Sequence, residues 1–138
     1  MKNRKDGIRV KNLDGMHGLM VHIKPYRAES DVYINTNVDV TEMVKYVEKL
    51  KKQDKYKDLT YFHVFCTAIG KLIYNRPLLN RFVINRRFYD RKFVNLSFVA
   101  KREFTDSSEE NFSSLIVEKD DNLKTISDKI SGKVKSVR

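Results

Sequence analysis

The sequence holds one cysteine, two prolines, five glycines and no tryptophan. A single cysteine excludes a disulfide framework within the chain. Cys66 sits in Phe65-Cys66-Thr67-Ala68, an apolar setting with no cationic neighbour to lower its pKa, so it reads as a small buried hydrophobe and not a nucleophile. The scattered glycines build neither a phosphate-cradling loop nor a dinucleotide fingerprint, and no Gly-x-Ser-x-Gly elbow is present. Lys, Arg, His or Asn interrupts every apolar run well before about 18 residues, which excludes a membrane-spanning helix. The basic start, Met1-Lys2-Asn3-Arg4-Lys5-Asp6, is not followed by an apolar signal core, so the expected compartment is the cytoplasm. Histidine is scarce: His17, His22 and His63 are too dispersed for a zinc site, and the pair His63 and Cys66 on one helix would supply only two ligands. No metal is expected.

What is there suits a folded domain. The 138 residues are 41% hydrophobic and include eight phenylalanines and seven tyrosines, too apolar for a disordered polymer. The net charge of +10 favours polyanionic partners: nucleic acid, anionic surfaces or phosphorylated cofactors.

Residues 1–30, loosened by Gly7, Gly15 and Gly18, read as an irregular N-terminal arm, and residues 31–138 as a single domain. Val32 to Val40 alternates apolar and polar and predicts a half-buried strand. Asp39 and Glu42 have capping-box spacing for a helix whose inner face carries Val40, Met43, Val44, Val47 and Leu50. Thr60 caps a second helix, apolar nearly all round and therefore expected at the buried centre, which Pro77 stops. His63 lies in its first turn and reads as a satisfied core or interface histidine.

The period then becomes two. Residues 81–85 and 87–90 form a hairpin around Asn85-Arg86. Residues 93–100 form a strand with Val94, Leu96, Phe98 and Ala100 on one face, and residues 112–118 another strand. Asp121 or Asn122 caps a closing helix with Leu123, Ile126, Ile130, Val134 and Val137 on one face. The run Arg76, Arg81, Arg86, Arg87, Arg91, Lys92 interleaves with Phe82, Phe88, Tyr89 and Phe93; strand alternation would put the aromatics inward and the arginines in water. The same mixture could hold an anion, a cofactor phosphate or single-stranded nucleic acid. The order of elements predicts an α+β, two-layer α/β sandwich, with helices on one face of a mixed, mostly antiparallel sheet.

Val32-Tyr-Ile-Asn-Thr-Asn-Val-Asp-Val-Thr41, then Thr60-Tyr-Phe-His-Val-Phe65, then Asn75-Arg-Pro-Leu-Leu-Asn-Arg-Phe82 resemble the opening of chloramphenicol acetyltransferases and of the catalytic domain of the dihydrolipoyl acyltransferases of 2-oxo acid dehydrogenase complexes. Val94 to Arg102, Glu103-Phe-Thr-Asp106 and Leu123 to Ile130 continue the resemblance, and Gly15 to Arg27 is similar to the family's N-terminal arm, though Val21 stands where the family often has proline. It spans about Gly15 to Val137.

The resemblance implies about half of a CoA-dependent acyltransferase fold. Its chemistry is transfer from acyl-CoA, as co-substrate, to the hydroxyl or thiol of a small-molecule acceptor, with a histidine as general base. The family carries that histidine in His-x-x-x-Asp-Gly. The fourth and fifth residues after the three histidines here are Val21-His22, Tyr26-Arg27 and Thr67-Ala68, so no catalytic residue is assigned and the chain is expected to be inactive alone. Tyr33, Phe98 and Ala100 become candidates for lining the acceptor pocket. The family forms trimers with active sites between subunits, so a homo-oligomer, or pairing with a complementary C-terminal half, is expected; a membrane or a nucleic acid is not. The alternative is a non-catalytic basic module that holds RNA or a CoA-type phosphate.

Overall fold

A computed structural model describes residues 3–103 and 105–137. Phe104, part of the segment that continues the family resemblance, lies outside the described residues, as do Met1, Lys2 and Arg138. The fold is mixed α+β, with helices and small antiparallel sheets. It divides into two compact units, Met1–Val38 with Arg76–Lys92, and Asp39–Asn75 with Phe93–Arg138.

The first unit is built on three antiparallel strands, β1 (Gly7–Arg9), β2 (Arg81–Ile84) and β3 (Arg87–Arg91), in the order β1-β3-β2. Asn85 and Arg86 link β2 to β3 with φ of 50° and 58°, the left-handed conformation a two-residue type I′ hairpin turn requires. Gly7 is needed where it stands, because a Cβ there would lie 2.9 Å from the Phe82 ring. The N-terminal arm is not irregular throughout: besides β1 it contains helix α1 (Gly15–Ile23). Asp14 caps α1 by accepting from the His17 N–H at 3.0 Å, and its carboxylate also pairs with the His17 ring. Those hydrogen bonds hold the Asp14 carboxyl below its usual range. The loose glycines concealed this cap, which sits three residues before His17.

The expected strand at Val32–Val40 is not formed. The segment is irregular and exposed, with Tyr33 at 88% of its full accessibility. Alternation fits a residue pattern to a strand, but a strand exists only when a neighbour completes its hydrogen-bond ladder, and none lies beside this segment among the described residues.

The second unit contains helices α2 (Thr41–Lys51), α3 (Tyr61–Asn75) and α4 (Leu123–Val137) and the hairpin β4 (Val94–Lys101) and β5 (Glu110–Val117). The capping box expected at α2 is replaced by a tighter arrangement. Asp39 accepts from both the backbone N–H and the hydroxyl of Thr41, at 2.9 and 2.6 Å, and Glu42 pairs instead with Lys45. Val47, on the face expected to be internal, is completely buried.

β4 and β5 pair in full register from Val94↔Val117 to Lys101↔Glu110. Cys66 of α3 and Ile126 and Ile130 of α4 pack on the face of the hairpin that carries Val94, Leu115 and Val117. Two features set this packing. Gly70 lets α3 approach β5, since a Cβ there would lie 2.9 Å from Val117 Cγ1. The Tyr74 hydroxyl donates to the Val117 carbonyl at 2.7 Å. Asn122 starts α4, its side-chain oxygen accepting from the Lys124 and Thr125 N–H groups.

Candidate functional site

In the second unit α3 and α4 meet at a polar contact that neither helix reveals alone. Thr60 precedes α3, and its backbone N–H donates to Nδ1 of His63, at 3.3 Å. The imidazole thus does what Glu or Gln does in a capping box. Ser127 of α4 lies 3.0 Å from the same Nδ1. Because Nδ1 accepts from the backbone, the ring proton sits on Nε2 and the Ser127 hydroxyl is a donor. Both side chains are buried. Burial pushes the His63 imidazole below its usual range, against the opposing pull of the Asp58 carboxylate, so the neutral ring is the resident form near neutral pH.

Ser127 forms part of the wall of a half-open groove of about 460 Å³, bordered by Lys55, Lys57, Asp58, Lys124 and Lys135. Lys135 reaches Asp58 at 3.1 Å, and Lys124 pairs with Asp128. A hydroxyl hydrogen-bonded to a neutral imidazole is the core of a nucleophile and base pair. Here, however, the accepting nitrogen is shared with a backbone N–H and the hydroxyl is buried, so the arrangement pins α4 to the start of α3. Ser127 carried a signal in the sequence: it is a polar residue beside Ile126 on the apolar face of its helix. Among the described residues no three His, Cys, Asp or Glu side chains gather as metal ligands.

The candidates for an acceptor pocket are separated. Phe98 and Ala100 lie on the inner face of β4, where Phe98 packs edge-to-face on Phe62 at 5.4 Å and Ala100 is buried. Tyr33 belongs to the other unit and is open to solvent. Cys66 is buried, and burial pushes its thiol up, as fits a packing residue.

Two surfaces depart from expectation. Helix α3 is covered on one side only. His63, Cys66, Thr67 and Gly70 face the packed side, while Phe62, Phe65, Ile69 and Leu72 are exposed in a row with spacings of 3, 4 and 3. In the first unit, strand alternation does not separate the arginines from the aromatics. Arg87, Tyr89 and Arg91 share one face of β3, because odd positions of a strand point the same way. Cross-strand pairing adds Phe82 and Arg9, both opposite Tyr89.

Comparisons with protein-family models, with curated proteins and with solved structures return no match. No described helix is long and apolar enough to cross a membrane.

Proposed function

We propose that the chain is part of a CoA-dependent acyltransferase of the chloramphenicol acetyltransferase and dihydrolipoyl acyltransferase type, acting in the cytoplasm on a small hydroxyl or thiol acceptor. It supplies scaffold, half of a two-layer α/β sandwich, and not the general base: none of its three histidines stands in His-x-x-x-Asp-Gly. A second polypeptide segment, in another copy or in a complementary half, supplies the rest.

The observation that carries this reading is the half-covered α3. A helix this apolar belongs at the centre of a layered fold. Its inner side is packed against β4, β5 and α4, whereas the row Phe62, Phe65, Ile69 and Leu72 faces solvent. The unpaired, alternating segment Val32 to Val38 supports the same reading, since its pattern is that of a strand without a sheet. Tyr33, within that segment, is the acceptor-pocket candidate whose ring remains free for a ligand.

The test is light scattering on the purified chain, combined with calorimetric titration of acetyl-CoA and an assay with chloramphenicol and dihydrolipoamide as acceptors. The expected result is a species heavier than the 16.3 kDa monomer that binds acetyl-CoA and turns over neither acceptor. A monomer that ignores acetyl-CoA overturns the family reading. Turnover by the chain alone overturns the assignment of the base to another segment.

A further inference from the structure

The positive charge is not spread evenly. The first unit carries thirteen Lys and Arg against five Asp and Glu, a net +8, while the second carries fifteen against thirteen, a net +2. The five carboxylates of the first unit are all engaged within it. Asp6 pairs with Arg4, Asp90 with Arg81 and Asp31 with Arg27; Asp14 caps α1, and Glu29 accepts from the Tyr26 N–H. Nine of the unit's described lysines and arginines are thereby left with no carboxylate in ion-pair range.

Part of this surplus is displayed on rigid backbone. Arg87 and Arg91 lie on one face of β3, four residues apart, and Arg9 enters the same face opposite Tyr89, between them. A strand advances about 3.3 Å per residue, so successive cations recur about every 6.6 Å along the sheet. Behind them Phe82 and Tyr89 stack at 5.5 Å, with the Arg91 guanidinium 4.4 Å above the Phe82 ring and Arg4 over Tyr89. Stacking fixes a guanidinium plane and leaves its N–H edge free for a bidentate acceptor. A second observation is independent of the charge count. Arg86 occupies a left-handed position, φ 58°, where glycine is the natural occupant and an arginine is strained. The β2–β3 turn thus puts a cation at the tip of the hairpin, next to Arg87.

We propose that the β1-β3-β2 sheet binds the phosphodiester backbone of single-stranded nucleic acid, through Arg9, Arg87 and Arg91 with Arg86 at its edge, and without selecting bases. Arginine forks at strand spacing match a regular row of phosphates. Base selection is absent because the two aromatics on this face, Phe82 and Tyr89, are stacked on each other, Tyr89 being buried, and offer no platform to a base. The proposal is independent of the acyltransferase reading.

The test is fluorescence anisotropy of the full chain with labelled U12 and A12 RNA. With three to four phosphate contacts the affinity should fall about 20- to 50-fold between 50 and 200 mM salt. The two homopolymers should bind within about twofold of each other. R9A/R87A/R91A should bind at least tenfold more weakly, with a flatter salt dependence. R86G/R87Q keeps the turn, because glycine suits its geometry, and should also weaken binding. Lys49 and Lys52, exposed in the second unit, serve as the charge control, and K49A/K52A should bind as the parent does. The proposal is overturned by no RNA binding at 50 mM salt, by sheet variants no weaker than K49A/K52A, or by a chain that binds phosphatidylserine vesicles but not RNA.

Discussion

Ser127 on α4 donates to Nδ1 of His63 on α3 across 3.0 Å, joining two helices through residues 64 apart in sequence. The same nitrogen receives the Thr60 N–H, so protonating it destroys both interactions. Burial lowers the folded-state pKa of His63. Folding therefore favours the neutral ring, and the resulting stability is complete above the unfolded value of about 6.5 and is lost as pH falls below it. Urea midpoints should decline from pH 7.5 to pH 5, and His63→Gln should flatten that decline. A parent midpoint that does not change over this range would contradict the assignment.

Ser127→Ala should cost about 1 kcal/mol, the usual net value of one hydrogen bond. The loss is held to that figure because Nδ1 keeps the Thr60 N–H. The measurement is a urea titration at pH 7.5, where His63 is neutral in both states. A loss several times larger would mean that the hydroxyl has a packing role beyond this bond.

Gly70 and Val117 set the distance between α3 and β5. Glycine inside a helix ordinarily costs about 0.5–1 kcal/mol relative to alanine. Gly70→Ala should still destabilise, by about 1 kcal/mol, because the crowding at the buried Val117 Cγ1 exceeds the gain in helix propensity. Gly70→Leu should destabilise by about 1–3 kcal/mol through overpacking. Val117→Ala in the same chain should recover part of that loss in a double-mutant cycle.

The second unit was largely legible because its elements answer to local rules. The face of α4 with Ile126 and Ile130 and the strand with Val94 and Ala100 follow from short-range spacing, as does the Asn85-Arg86 turn of the first unit. The errors arise where an element depends on a distant neighbour. Val32 to Val40 has the pattern of a strand, but pattern does not supply a partner strand. The all-round apolar α3 was expected at the centre, yet burial requires a second layer, and one side lacks it. The His63 contact was half visible. The spacing of Thr60 and His63 lies within one turn, but Ser127 arrives through tertiary packing. The arginines and aromatics share a face because alternation acts on positions and not on residue types: Arg87, Tyr89 and Arg91 are two apart.

Asp121 anchors the β5 to α4 connection. Its side chain is buried, receives the Glu118 N–H at 2.8 Å and the Thr125 hydroxyl at 2.8 Å, and pairs with Lys129 at 2.6 Å. Burial pushes its carboxyl up, but these donors outweigh burial and hold it below the usual carboxylate range. The charged form is the one the fold favours, so its contribution is present above about pH 4 and is lost as pH falls further. Asp121→Asn should cost about 1.5–3 kcal/mol at pH 7, the range for hydrogen bonds to a charged group, and less at pH 3, below the ordinary carboxylate value. Equal losses at the two pH values would remove the carboxylate from the explanation.

The exposed row on α3 gives the last prediction. Phe65, Ile69 and Leu72 are each about half accessible and lie on the side of the helix away from the β4–β5 hairpin. Replacing apolar side chains that solvent already reaches costs a folded monomer little, typically within about 0.5 kcal/mol. Replacing them in a buried interface removes the anchors that hold the partner. F65S/L72S should therefore leave the urea midpoint of the dilute chain nearly unchanged while shifting the light-scattering mass toward 16.3 kDa. Phe62 is left in place because it also packs on Phe98 within the unit. If the double variant unfolds while its mass distribution stays that of the parent, the row belongs to the monomer's own core, and the half-covered α3 no longer supports completion by a second segment.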